Sequence, residues 1–279
     1  MEYHADRFVD HSLCIFREEK LCAILPACTR EKEFISHGGL TFGGILCSEW
    51  MKTPTMLEIF DVVLAYLCEQ GFSNFLYKAV PHIYHRYPAE EDRYALFRNG
   101  AILTKCEVTS TISNTHRVDY SERRRRGIKK AQKLGAIFEI SQNYTDYFAM
   151  VGEILQDKYN SQPTHTASEM ALLAQRFPEH IALWIARNND NKMLAGVIMY
   201  ADTQVAHAQY IATSAEGRIS GMLDALFDHL IQQAYAKHPY FDFGISTEDA
   251  GQSLNTGLIT QKEEFGARAT VHETYMLQF

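Results

Sequence analysis

Asp242 stands between Phe241 and Phe243 in the run YFDFGISTED, where two bulky apolar neighbours on a short strand set a carboxylate against a core. A carboxylate so placed is either paired and structural or has a raised pKa suited to taking a proton. Ser246, Thr247 and Glu248 follow at the carboxyl end of that strand, the end at which ligands sit in open α/β sheets. They are therefore candidate substrate contacts. His207 falls in a strand pattern in which Val205, His207, Gln209 and Ile211 share one face by the period of two, with Tyr210 on the other. It is either a satisfied core histidine or part of the lining of an acceptor cleft. The stretch SHGGLTFGGIL, from Ser36 to Leu46, holds four glycines in seven residues. It reads as a tight turn and bulge, or as a wall that lets backbone approach an acceptor closely beside His37, Gly38 and Thr41.

Other chemistries are excluded by what the residues do not form. The twelve histidines show no H-E-x-x-H or comparable ligand set, and the six cysteines no C-x-x-C pair. No metal is expected, and the cysteines, mostly inside apolar runs, read as reduced thiols of the core. The net charge of −7 combines −14 over most of the chain with +7 between Arg123 and Lys133. An acidic protein with one basic helix is not a general DNA binder. On that helix Arg123, Arg126, Lys130 and Lys133 share a face at spacings of three and four. It is either a solvated surface or a place that holds one phosphate of a substrate, with Arg126 as the candidate contact. The N-terminus has no secretory signal and no apolar run approaches a membrane span, so a cytoplasmic location is expected.

The elements that must position these residues follow from periodicity. Strands are expected at Ser12–Phe16, Leu21–Ala27, Phe75–Val80 and Ala101–Ile112, with helices from Pro54 to Gly71 and over Ala89–Asn99. The basic helix, about Tyr120–Leu134, opens a second half with a strand at Ala136–Ile140 and helices near Asp146–Tyr159 and Ala167–Phe177. Strands at Ile181–Ala186, Met193–Ala201 and Val205–Ala212 follow, then a helix at Ile219–Ala236. A strand at Tyr240–Ile245, a helix at Ser253–Glu264 and a strand at Ala269–Gln278 close the chain. The order strand, strand, strand, helix, strand, helix, strand occurs twice, and helix start to next strand spans 21 residues both times, 54 to 75 and 219 to 240. This predicts two halves, 1–115 and 116–279, of one α/β class, with mixed sheets flanked by helices.

That order, and the closing run from Tyr240 to Arg268 with its D-F-G strand end, Asn255, Gly257-Leu258, Lys262 and Phe265-Gly266, resembles the FemAB-like group of the GNAT acyltransferase superfamily. RRRRGIKKAQKLG resembles the basic helix that joins the two halves in that group. The resemblance implies direct attack of an amine or hydroxyl on a thioester or ester carbonyl, with catalysis mainly by positioning. It assigns Arg218, Ile219, Ser220 and Gly221 to a loop holding the donor's pyrophosphate at a helix start, although Leu223 stands where the pattern ends in Gly or Ala. Asn255 is either the cap of the helix that follows the D-F-G strand or a donor contact, and Lys262 either a solvated helix residue or a donor contact. Tyr210 becomes a candidate acid for a leaving thiolate.

The function expected is acyl transfer from acyl-CoA to a small-molecule or sugar-linked acceptor. The alternatives are aminoacyl transfer from tRNA and a GNAT-like binding module without catalysis. The second half is expected to be the complete GNAT unit. The first lacks the strand and two helices that precede the repeat in the second. Either its natural start lies upstream of Met1, or it works shortened, with a sheet edge left open or covered by residues 1–11 or a partner chain.

Overall fold

The computed structural model describes residues 6–159 and 162–279. In chain order the strands and helices begin with β1 (Val9–Asp10), β2 (Leu13–Arg17), β3 (Lys20–Leu25), β4 (Cys28–Arg30), β5 (Glu33–Ile35), β6 (Leu46–Cys47) and α1 (Thr53–Glu69). Next come β7 (Asn74–Lys78), α2 (Glu91–Arg98), β8 (Ile102–Ser113), α3 (Glu122–Lys133), β9 (Ile137–Ser141), α4 (Tyr144–Tyr159) and α5 (Ala167–Arg176). β10 (Ile181–Arg187), β11 (Met193–Ala201), β12 (Val205–Thr213), α6 (Ala215–Ser220), α7 (Met222–His229) and β13 (Tyr240–Ile245) follow. The last elements are β14 (Thr247–Glu248), β15 (Ser253–Leu254), α8 (Thr256–Glu263) and β16 (Arg268–Gln278).

These elements form two units whose boundaries differ from the expected cut at 115. The first contains residues 1–108, 247–254 and 270–279, and the second contains 109–246 and 255–269. The physical reason is strand pairing. β16 pairs antiparallel with β7, from Thr274↔Lys78 to Gln278↔Asn74, so the last strand completes the first unit. The distal part of β8 pairs with β13 in the second unit, Asp242 lying opposite Thr111. β8 thus gives its residues up to Val108 to the first unit and those from Thr109 to the second.

In the first unit β5 and β7 run parallel beside β4, and β1 pairs with β4 on the outer side, Val9 opposite Thr29. The strands expected at Ser12–Phe16 and Leu21–Ala27 belong to a separate three-stranded sheet, β2-β3-β6. Pro54 in the first turn starts α1, and Met56, Ile59, Phe60, Val63 and Leu67 face inward at helical spacing. They meet Leu25, Phe34, Phe75 and Tyr77 in the core. The expectation of core thiols is met at Cys28, which is buried, and not at Cys14, Cys47 and Cys68, which are exposed.

In the second unit the strand order is β8-β13-β12-β11-β10-β9, antiparallel except for β12 beside β13. That parallel pair is short. It holds from Val205↔Tyr240 to His207↔Asp242, and β12 then continues through Thr213 with no further partner residue in β13. The backbone edge of β12 beyond His207 is thus open on that side. Phe241 and Phe243 turn to the face covered by α7, joining Val197, Met199, Ala206, Leu226 and Phe227 in the core. Alternation sends Asp242 to the opposite face.

One local irregularity overturns an expected side-chain direction. Ile198 lies opposite Tyr210 and Met199 opposite Ala208, so Gln209 is an extra residue in β12. A bulge of one residue reverses the alternation. His207, opposite Tyr200, and Tyr210, opposite Ile198, consequently share one face, where the unbroken period had placed them on two.

Candidate active site

On the face of the second unit away from α7, His207 Nδ1 lies 2.6 Å from Asp242 Oδ2. Asp242 is fully buried. Its Oδ1 accepts from the hydroxyls of Thr109, at 2.5 Å, and Thr111, at 3.0 Å, and its Oδ2 also accepts from the backbone N–H of Gly244 at 3.2 Å. Three donors of fixed direction, the two hydroxyls and the Gly244 N–H, favour the carboxylate as an anion. Because an ionised carboxylate only accepts, the imidazole proton sits on Nδ1, and Nε2 carries the lone pair. Among the described residues Nε2 has no hydrogen bond, and the side chain is 19% exposed. The arrangement is an oriented base with its free nitrogen open, at the point where β12 and β13 part.

The glycine of the D-F-G run makes this possible. Ile245 pairs with Thr109 and Asp242 with Thr111, so β13 has one residue too many, and Gly244 absorbs the bulge at φ +77°. That left-handed conformation, cheap only for glycine, accompanies a Gly244 N–H bonded to Asp242 and a carbonyl bonded to Lys262. Lys262 Nζ donates to the carbonyls of Gly244 and Ile245, both at 2.7 Å, and to Ser246 Oγ at 2.9 Å. Its three protons are used inside the unit, and burial pushes its pKa down to about 8. Asn255 caps α8, its side chain accepting from the N–H of Leu258 at 3.0 Å, and its own N–H reaches Ser246 O. Lys262 and Asn255 thus bond to strand-end and helix-start groups of their own unit. Ser246 is buried as the acceptor for Lys262. In the first unit Thr247 Oγ1 accepts from the N–H of Val108 at 3.2 Å, and Glu248 is exposed on β14.

Tyr210 joins His207 on the shared face. Its hydroxyl lies 2.7 Å from Nδ1 of His165, in the segment before α5, and accepts from the backbone N–H of His165 at 3.3 Å.

The expected phosphate loop has a different local structure. The helix begins at Ala215, not Ile219, because Ser214 caps it by accepting from the N–H of Gly217. It breaks at Gly221, φ +76°, and restarts as α7, which ends in a π turn over Leu230–Ala234. The N–H groups of Arg218 and Gly221 are spent on Ser214 O and Gly217 O, and the Ser220 hydroxyl on Glu216 O and Gly217 O. Arg218 and Ile219 are exposed. The backbone N–H groups of Arg218 and Gly221 are therefore occupied by helix bonds, while the Arg218 side chain faces solvent. A Cβ on Gly221 would fall on the backbone of Gly127 in α3. Gly221→Asp is expected to cost about 2–4 kcal/mol of stability through the left-handed φ and the clash. Thermal unfolding measures it, and a melting temperature equal to the parent's would show that the two helices do not meet there.

On α3, Arg126 and Lys133 are exposed, and Lys130 Nζ donates to Ile219 O at 2.8 Å at the end of α6. Arg124 is the buried member of the arginine run. It meets Asp224 at 2.5 Å and Glu264 at 2.7 Å, with its guanidinium 5.3 Å above the Phe265 ring. In the first unit the glycine-rich run is a built turn: Lys78 Nζ donates to the carbonyls of His37, Gly38 and Leu40. His37 is buried at φ +48°, Gly38 lies against Phe8 and Cys28, and Thr41 is exposed. Among the described residues no group of His, Cys, Asp and Glu could hold a metal ion, and no helix is long and apolar enough to cross a membrane.

Thr109, Thr111, His165 and Arg124 escape a reading of the sequence. Thr109 and Thr111 carry one faint sign, their spacing of two on a long strand. Arg124 carries another, standing four before Ile128 and seven before Ala131 on the inward stripe. Nothing in the sequence marks His165.

Residues 119–250 match the family model described as an acetyltransferase (GNAT) domain. No curated protein matches the sequence. The fold is similar to that of FemX (TM-score 0.70, 11% identity, covering 100% of this chain and 90% of that one). It is also similar to the C-terminal domain of a putative lysylphosphatidylglycerol synthetase from Agrobacterium fabrum (0.63, 12%, 96% and 83%). A tandem GNAT protein from the clavulanic acid biosynthesis pathway matches as well (0.53, 8%, 96% and 82%). At these identities the likeness is one of fold, whereas the match at 119–250 is one of sequence and covers the His207–Asp242 pair. Residues 119–250 are thus similar in sequence to the GNAT acetyltransferase domain, and the fold of the chain is similar to that of FemX.

Proposed function

We propose that the second unit transfers an acyl group to an amine or hydroxyl, with His207 as general base. The observation that carries this reading is the buried Asp242 carboxylate, which fixes the proton on His207 Nδ1 and leaves Nε2 open at the divergence of β12 and β13. As the nucleophile's bond to the acyl carbon forms, Nε2 takes the nucleophile's proton, and the Asp242 charge stabilises the resulting imidazolium. Backbone N–H groups along the open edge of β12 supply hydrogen bonds to the carbonyl oxygen as it gains charge. The Tyr210 hydroxyl, held by His165, gives a proton to the departing thiolate or alkoxide. Positioning supplies the remainder of the rate.

The donor is proposed as an activated acyl ester or thioester. Acyl-CoA is the first candidate by family. An aminoacyl ester of tRNA is the second reading, favoured by the spent N–H groups of Arg218 and Gly221 and by the exposed cations of α3. The acceptor is a small molecule or a sugar-linked amine. Calorimetry with acetyl-CoA, longer acyl-CoAs and charged tRNA, followed by mass spectrometry of a panel of amine acceptors, tests the proposal. Transfer from one donor class is expected. Tight donor binding without transfer to any acceptor would favour a binding module instead.

A further inference from the structure

We infer that Thr109 and Thr111 are positioning residues, which hold the Asp242–His207 pair free of a proton and so keep the base ready. The inference deepens the proposed function and rests on its reading of His207 as the base.

Both threonines lie on β8, two residues apart and on one face, opposite the β13 bulge that carries Asp242. Both donate to Asp242 Oδ1, at 2.5 and 3.0 Å, while His207 and Gly244 take Oδ2. Two hydroxyl protons pointing at one buried oxygen stabilise the anion and oppose a proton at that oxygen. With Oδ1 so occupied, the state in which Asp242 is charged and His207 neutral is the favoured one, and it is the state in which Nε2 can accept. Backbone pairing alone would have been served by any β-branched residue at 109 and 111. Valine there would fill the same space and leave Oδ1 buried without a donor.

The sign of the effect follows. Losing the hydroxyls destabilises the unprotonated pair more than the singly protonated one, so the proton is bound at higher pH. The two groups titrate together, and the shift belongs to the pair. The other groups that face it are Lys262 from α8, whose ammonium reaches the Gly244 and Ile245 carbonyls, and Tyr210 with His165 on the same face. Measurements below the range in which Lys262 loses its proton, about 8, keep that titration apart.

The test is ¹⁵N NMR of the imidazoles in the full chain. The parent should show His207 neutral with its proton on Nδ1. In the Thr109→Val/Thr111→Val double variant the pair should take up its proton about one pH unit higher. The acid limb of the pH–rate profile should move with it, and Thr109→Ser/Thr111→Ser should restore both. If the double valine variant fails to fold, Thr111→Val alone, at the longer bond, carries the same test with a smaller shift. An unmoved titration, or a serine variant that behaves as the valine one, overturns the inference. The NMR arm needs no substrate. A moved titration with an unmoved rate profile would therefore uphold the hold of the hydroxyls on the pair and remove His207 from the reaction.

Discussion

Asp242→Asn is expected to lower kcat/KM for acyl transfer by about 10³-fold, with a folded protein. The carbonyl of the asparagine can still accept from Thr109 and Thr111. Its amide NH₂ then faces His207 Nδ1, so Nδ1 becomes the acceptor and the imidazole proton moves to Nε2. The ring keeps its place and loses its usable lone pair. The amide also faces the Gly244 N–H, donor against donor, which adds a modest stability cost. Steady-state kinetics on the donor–acceptor pair, with thermal unfolding as a control, measures the effect. A variant that kept a tenth or more of the parental rate would show that His207 does not take the nucleophile's proton.

Arg124→Met should produce the largest loss of stability, about 3–5 kcal/mol at neutral pH. The side chain is 8% exposed, and its guanidinium neutralises Asp224 and Glu264 together. Removing it leaves two carboxylates facing each other with little water. Burial already raises the Asp224 pKa, and Arg124 is the main influence opposing that rise. Without the arginine the folded-state pKa climbs further above the unfolded value. Such a group favours folding below its unfolded pKa, and this contribution is lost as pH rises through the folded pKa. The gap between parent and variant should therefore be small in acid and widen towards neutrality. Urea unfolding at several pH values measures it, and a gap that stays constant would mean that neither carboxylate depends on Arg124.

What the sequence made legible was periodic. The inward stripe of α1, the Phe-Asp-Phe alternation of β13 and the basic α3 all announce their faces, because burial on one side imposes a period of 3.6 or 2. His207 and Asp242 were recognised as candidates one at a time, since each breaks an apolar pattern. That they meet depends on the parallel register of β12 and β13, which two strands separated by two helices do not advertise. Tyr210 was sent to the wrong face because a bulge at Gln209 leaves no mark in composition. The helix start at Ser214 was missed in favour of Arg218–Gly221, although Ser214 is a good capping residue. The unit boundary failed because a repeat in order along the chain does not say which sheet receives each half's last strand.

The pairing of β16 with β7 has a consequence for how the protein is made. Lys78 and Thr274 are partners across nearly two hundred residues of chain. At about 5–20 residues per second of synthesis, β7 waits on the order of tens of seconds for β16 to leave the ribosome. Throughout that interval one side of β7 offers unpaired N–H and carbonyl groups, and the first unit cannot close its sheet. Asp242 gains its supporting threonines as soon as β13 emerges, because β8 has been made long before. The order of synthesis thus favours completing the sheet around the His207–Asp242 pair before that of the first unit, although the first unit contributes the earliest residues of the chain. Pairings of such long range also place the molecule among slowly folding topologies, in which the nascent first unit depends on its last-made strand.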